Sequence, residues 1–116
     1  MQIKMKKVKI PIYYGTLVII YTDNLQEVCD KYGISGDASG TDALVFSDTD
    51  KNGVSRFFAC FSERGLTGSI MAHESVHIVN DIFSSRGVKL DPSNGEPQAY
   101  LTGWIFEQIE TFLKNK

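Results

Sequence analysis

Ile70-Met71-Ala72-His73-Glu74-Ser75-Val76-His77-Ile78-Val79-Asn80-Asp81-Ile82-Phe83 is the stretch on which the reading of this chain turns. It contains H-E-x-x-H at positions 73–77 and uses both histidines of the chain. On an α-helix, residues i and i+4 lie one above the other, so His73 and His77 can present ring nitrogens to a single metal ion. Glu74 then lies beside that ion. It is placed to take a proton from a coordinated water, whose pKa zinc lowers to about 7. A chance match of this kind falls in roughly one chain of this composition in several hundred. The plain alternative is an amphipathic helix with two surface histidines. Against it, Ile70, Met71, Ala72, Val76, Ile78, Val79, Ile82 and Phe83 make the segment apolar on most sides, which predicts a buried helix where unpaired histidines are costly.

A catalytic zinc takes three protein ligands and keeps one position for water, so a third ligand is sought downstream. The metal helix is expected to run to about Arg86 and stop at Gly87. The chain then crosses a loop at Asp91-Pro92-Ser93-Asn94-Gly95 and restarts as a second helix at Glu96-Pro97. Glu96, in the first turn of the returning helix, is the favoured third ligand, with Asp81 and Asp91 as rivals. Ser93-Asn94-Gly95-Glu96 also reads as a capping box, in which the glutamate would only satisfy a backbone N–H. Asp81 and Asn80 are better placed to orient a histidine. Tyr100 shares the helical face of Glu96 and is a candidate donor to a developing oxyanion; the competing reading packs it between helices. Ala99 and Gly103 extend that face with small residues that would allow the two helices to approach closely.

These residues resemble a known family. H-E-x-x-H on one helix with a glutamate opening the next is similar to the gluzincin metallopeptidases, and the small size resembles the minigluzincins. M-A-H-E-S-V-H-I-V-N at 71–80 followed by G-E-P-Q-A-Y-L-T-G-W-I at 95–105 is similar to short metallopeptidase-like proteins of phages and prophages. The resemblance covers about the last fifty residues. It implies a zincin-like fold, a zinc cofactor on His73, His77 and Glu96, Glu74 as general base and Tyr100 as a transition-state donor. It also implies that the strand before the metal helix, Arg56 to Phe61, pairs with an extended peptide substrate. That strand could equally be buried on both faces. One departure stands out: larger gluzincins carry N-E-x-x-[S/A]-D around the third ligand, where this chain has G-E-P-Q-A-Y.

Composition sets the outer limits. With 116 residues, 42% of them hydrophobic, the chain is read as one globular domain over 1–116. A net charge of −2 leaves no basic surplus for nucleic acid or an anionic membrane. Lys7 and Lys9 alternate with Val8 and Ile10 as one solvated strand face, and no apolar run is long enough to span a bilayer. The N-terminus does not read as a secretory leader, because Pro11, Tyr13, Tyr14 and Gly15 break its apolar stretch. Cys29 and Cys60 lack framework spacing and are read as free thiols, which suits the cytoplasm.

Strands are expected at Met5–Ile12, Thr16–Tyr21, Ala43–Phe46 and Val54–Ser62, with a short helix at Asn24–Tyr32 capped by Asp23 or Asn24 and stopped by Gly33. Residues 35–41, Ser-Gly-Asp-Ala-Ser-Gly-Thr, read as a mobile loop bordering the cleft. Asp48-Thr49-Asp50-Lys51-Asn52-Gly53 imitates the start of a calcium loop, but Ala59 stands where the bidentate glutamate belongs, and Asn52-Gly53 reads as a hairpin turn. The expected architecture is α+β: a small, largely antiparallel sheet of about four strands against the long H-E-x-x-H helix and a C-terminal helix. Two functions fit it: a zinc metallopeptidase, or a non-catalytic, zinc-stabilised protein-binding module of phage or prophage origin. Glu74 argues for the first, because a structural site needs no base.

Overall fold

A computed structural model describes residues 3–115. Strand β1 (Ile3–Lys9) and strand β2 (Thr16–Thr22) are followed by helix α1 (Leu25–Tyr32). Strands β3 (Ala43–Thr49) and β4 (Ser55–Phe61), a 3-10 turn (Glu63–Gly65), helix α2 (Gly68–Ser85) and helix α3 (Glu96–Lys114) complete the chain. The class is α+β, as expected, and the sheet has four strands in the order β1-β2-β4-β3.

The sheet is mixed. β1–β2 and β3–β4 are antiparallel hairpins, whereas the central pair β2–β4 is parallel, with Leu17 opposite Phe57 and Ile19 opposite Ala59. Hairpins follow from local turn chemistry, but the way two hairpins join does not. Here the chain leaves β2, crosses one face as α1, and returns in β3 at the far edge, which leaves β4 beside β2.

That crossover covers both faces of the sheet. Leu17, Ile19, Tyr21, Phe57, Ala59 and Phe61 pack on α2 and α3, while Val18, Ile20, Phe58 and Cys60 pack on Leu25, Val28 and Cys29 of α1. Strands covered on both sides read as continuous apolar runs, which is why 17–21 and 57–61 show no polar alternation. Each fully buried Phe stabilises the core by about 1.5–3 kcal/mol. Both cysteines are buried free thiols, and burial pushes the thiol of each upward.

Local chemistry sets the element ends. Asn24 caps α1 by accepting from the Gln26 N–H, and Gly33 ends it in the left-handed region. In the β3–β4 turn the Asp50 carboxylate accepts from the N–H groups of Asn52 and Val54, which holds its pKa down, and Asp48 pairs with Arg56 at 2.6 Å. β1 starts earlier than expected and stops at Lys9, because residues 10–15 form a wide turn closed by Ile10 N–H to Gly15 O at 3.0 Å. Gly15 is obligatory there: its φ is 96°, and a Cβ would stand 2.9 Å from the Ser55 carbonyl oxygen. Residues 35–41 border α1 rather than the histidines. Their Ala38 is buried, and its N–H donates to Gln26 Oε1 at 2.7 Å. Among the described residues no helix is long and apolar enough to cross a membrane.

Candidate metal centre

Thr67 opens α2 by accepting from the Ile70 N–H at 3.2 Å, and packing against the sheet and α3 sets which residues the helix turns inward. Met71, Glu74, Ser75, Ile78, Val79, Ile82 and Phe83 are buried, whereas Ala72, His73, Val76 and His77 are exposed. This corrects the expectation of a helix apolar on most sides. Its apolar residues gather on one broad face, and the histidines stand on the other in contact with water. The cost of burying histidines is therefore no argument for a metal here. On exposure alone, the surface-histidine description is the right one.

Geometry carries the argument instead. The Nε2 atoms of His73 and His77 are 3.1 Å apart, with ring centroids separated by 4.7 Å and planes crossed at 68°. Two nitrogens about 2.0–2.1 Å from a tetrahedral zinc lie about 3.3–3.4 Å from each other, so the pair is close to the spacing a shared ion requires. His73, Glu74 and His77 each offer a ligand atom within 4.8 Å of the others, the one such group of three among the described residues. The donor set fits a zinc ion held by two imidazoles with a carboxylate alongside.

Glu74 is only 8% exposed and shares a shallow hollow of about 260 Å³ with His73, Ser69, Ile70, Asp42 and Ala43. Asp42 and Ala43 come from the head of β3, which is clamped in place. The Asp42 carbonyl accepts from Ser62 N–H and Ser62 Oγ at 3.0 and 2.9 Å, and its carboxylate stands 3.1 Å from Arg64 Nε. Buried Gly65 lies against the same carbonyl with no room for a Cβ. Sequence reasoning missed Asp42 and Ala43, and only the pairing of Ala43 with Phe61 brings them beside α2.

The other expected site residues are placed elsewhere. Glu96 opens α3 on its exposed side, together with exposed Ala99, Tyr100 and Gly103, and the structure does not gather it with the histidines. Glu96 and Tyr100 instead line an apolar cavity of about 550 Å³ with Ile12, Tyr13, Leu101 and Trp104. Tyr100 is 76% exposed, so it is not packed between helices either. Gly103 meets nothing within 4 Å of a notional Cβ, which removes the close helix approach expected there. The capping box is not formed: Gly95 is the cap residue, without a side-chain cap bond. Asp91 closes its own loop by accepting from Ser93 N–H at 2.9 Å. Asp81 is half-buried one turn beyond His77; burial raises its pKa, and His77 partly opposes the shift. Neither Asp81 nor Asn80 hydrogen-bonds a histidine, and the buried Asn80 Oδ1 has no partner.

The expected substrate strand also needs correction. β4 is an interior strand whose two edges are taken by β2 and β3, so it has no free backbone groups for a peptide. The free edges are β1 and β3. No family model, curated protein or solved structure matches the chain. The gluzincin resemblance therefore rests on the motif and its surroundings alone.

Proposed function

We propose that this chain is a zincin-like zinc metallopeptidase in which His73 and His77 supply two of the protein ligands of the metal and Glu74 is the general base. The observation that carries this reading is the convergence of two imidazole nitrogens 3.1 Å apart beside a carboxylate on the same helical turn. Zinc bound there supplies a Lewis acid for a peptide carbonyl and makes water more acidic. Glu74, rooted in a packed helix and facing the hollow, receives the proton of the attacking water at its carboxylate and returns it to the leaving amine. Glu96 and Tyr100, which the family resemblance makes ligand and donor, are left out of this site because they line the cavity of α3.

An extended peptide is the substrate form this surface suits. The β1 edge carries Lys4, Lys6, Lys7 and Lys9, a common device against strand addition, whereas β3 carries no lysine or arginine. The head of β3 borders the same hollow as Glu74, so a peptide paired along β3 would reach the base with its backbone. The rival reading, a zinc-stabilised binding module, is less well supported. Both histidines sit on one helix, and an ion there ties no separate segments together.

The test is elemental analysis of the untagged protein together with a peptide-library cleavage assay of wild type and Glu74→Gln. About one zinc per chain in both, with cleavage at least about a hundredfold slower in the variant, is the expected result. Zinc without cleavage in either protein would remove the peptidase, and absence of zinc from both would remove the site.

A further inference from the structure

A roomy apolar cavity stands apart from the histidines. It lies between the β1–β2 turn and the first turns of α3, holds about 550 Å³, and is lined by Ile12, Tyr13, Glu96, Tyr100, Leu101 and Trp104 with two prolines and Asn94. That volume lies in the range of small-molecule sites, and an apolar trough with a few polar groups is their usual composition.

Its outer wall is held under strain. Ile12 has φ 67° and Tyr14 φ 64°, conformations that side chains with a Cβ rarely adopt and that are least favourable for a β-branched residue. The Tyr13 N–H donates to the Pro11 carbonyl at 2.6 Å around Ile12, a tight γ-turn that leaves Ile12 82% exposed. Arg86, just past the end of α2, holds the turn in place. Its Nε donates to Tyr13 O at 2.6 Å and its Nη2 to Tyr14 O at 3.2 Å. The Tyr13 ring rests on Phe83 with centroids 5.3 Å apart. The guanidinium nearest this wall is thus committed to backbone carbonyls and Ser55 Oγ.

Glu96 is the only charged residue lining the cavity, and it makes no ion pair among the described residues. Tyr13, Tyr100 and Trp104 line the same cavity. One carboxylate in a cavity lined by aromatic and aliphatic side chains is complementary to a cation with an apolar body: the carboxylate and the aromatic rings attract the charge, and the trough takes the hydrocarbon. We infer that this cavity binds a small organic ammonium ion carrying an aryl or alkyl body. The site is independent of the metal reading, because none of its lining residues belongs to the histidine group.

Trp104 is the only tryptophan of the chain, so its fluorescence reports the cavity directly. The experiment titrates the EDTA-treated protein with phenethylammonium, 2-phenylethanol and 3-phenylpropionate at one ionic strength. The expected result is saturable binding in that order, with the amine about three- to tenfold tighter than the alcohol. Glu96→Gln should abolish that advantage while leaving the alcohol unchanged, and Tyr100→Leu should weaken the amine more than the alcohol. Both side chains are exposed, so neither change threatens the fold. Equal affinity for amine and alcohol in the wild type, a preference that survives Glu96→Gln, or no saturable signal with any probe would overturn the inference. Loss of zinc binding or of peptidase activity bears on the other site alone.

Discussion

The hollow beside His73 and Glu74 and the cavity beside Glu96 and Trp104 are built from opposite materials. The first owes its chemistry to a single helical turn: two imidazoles and a carboxylate fall together because residues 73, 74 and 77 lie within about one turn of α2, with Glu74 at the border of its buried face, and concavity adds little. The second owes little to any one segment. Its walls lie more than eighty residues apart in sequence, and its shape depends on a strained turn held by Arg86. The chain thus has reactive groups where the surface is shallow and a roomy trough where the groups are mostly inert. A metal site needs only donors at the right spacing, whereas a site for an apolar body needs volume, and volume requires long-range packing.

Four changes would break or sharpen that contrast. The largest effect is expected from replacing both histidines. His73→Ala with His77→Ala should reduce bound zinc from about one per chain to none by elemental analysis, with helical circular dichroism unchanged because both side chains face solvent. Stoichiometric zinc in that variant would place the donors elsewhere and end the description of a one-helix site. Next, Gly15→Ala forces a Cβ against Ser55 O at a φ of 96°. It should cost about 2–4 kcal/mol, seen as a melting temperature lower by roughly 10 °C. Arg86→Ala removes the guanidinium that holds the turn. It should cost about 2 kcal/mol and change the Trp104 emission, while zinc binding at the other hollow stays intact. If zinc affinity fell as well, the two sites would be coupled rather than separate.

The smallest effect is expected at Glu96. Glu96→Ala should leave zinc affinity within about twofold of wild type, because its carboxylate lines the other cavity. A drop of tenfold or more would return Glu96 to the metal as third ligand. It would also require the first turn of α3 to move toward α2 when the ion binds.

Much of the local structure was legible in advance. Asn24 and Gly33 bound α1 and the helix of the motif ends at Gly87 with Val88 N–H on Phe83 O, because capping and left-handed residues act over three or four positions; α3 opens at Glu96 with Pro97 in its first turn and no side-chain cap. The expectations that failed were those about neighbours. Apolar residues 70–83 looked like a buried helix, but an apolar count does not give the angle at which they sit around the axis. Phe57 to Phe61 looked like a cleft rim or a doubly buried strand, and only the parallel partner β2 decided for burial.

The sequence by itself determined that a helix carries two imidazoles and a carboxylate on one turn, since i and i+4 geometry holds in any helix of any fold. It also pointed to the two hairpins and to Cys29 and Cys60 as free thiols. Only the tertiary structure decided that the histidines face water, that β4 is interior while β3 keeps a free edge, and that Glu96 and Tyr100 line a cavity with Ile12. These outcomes depend on how α1 crosses the sheet and how α3 packs back on it. Such contacts join residues tens of positions apart, which no local period encodes.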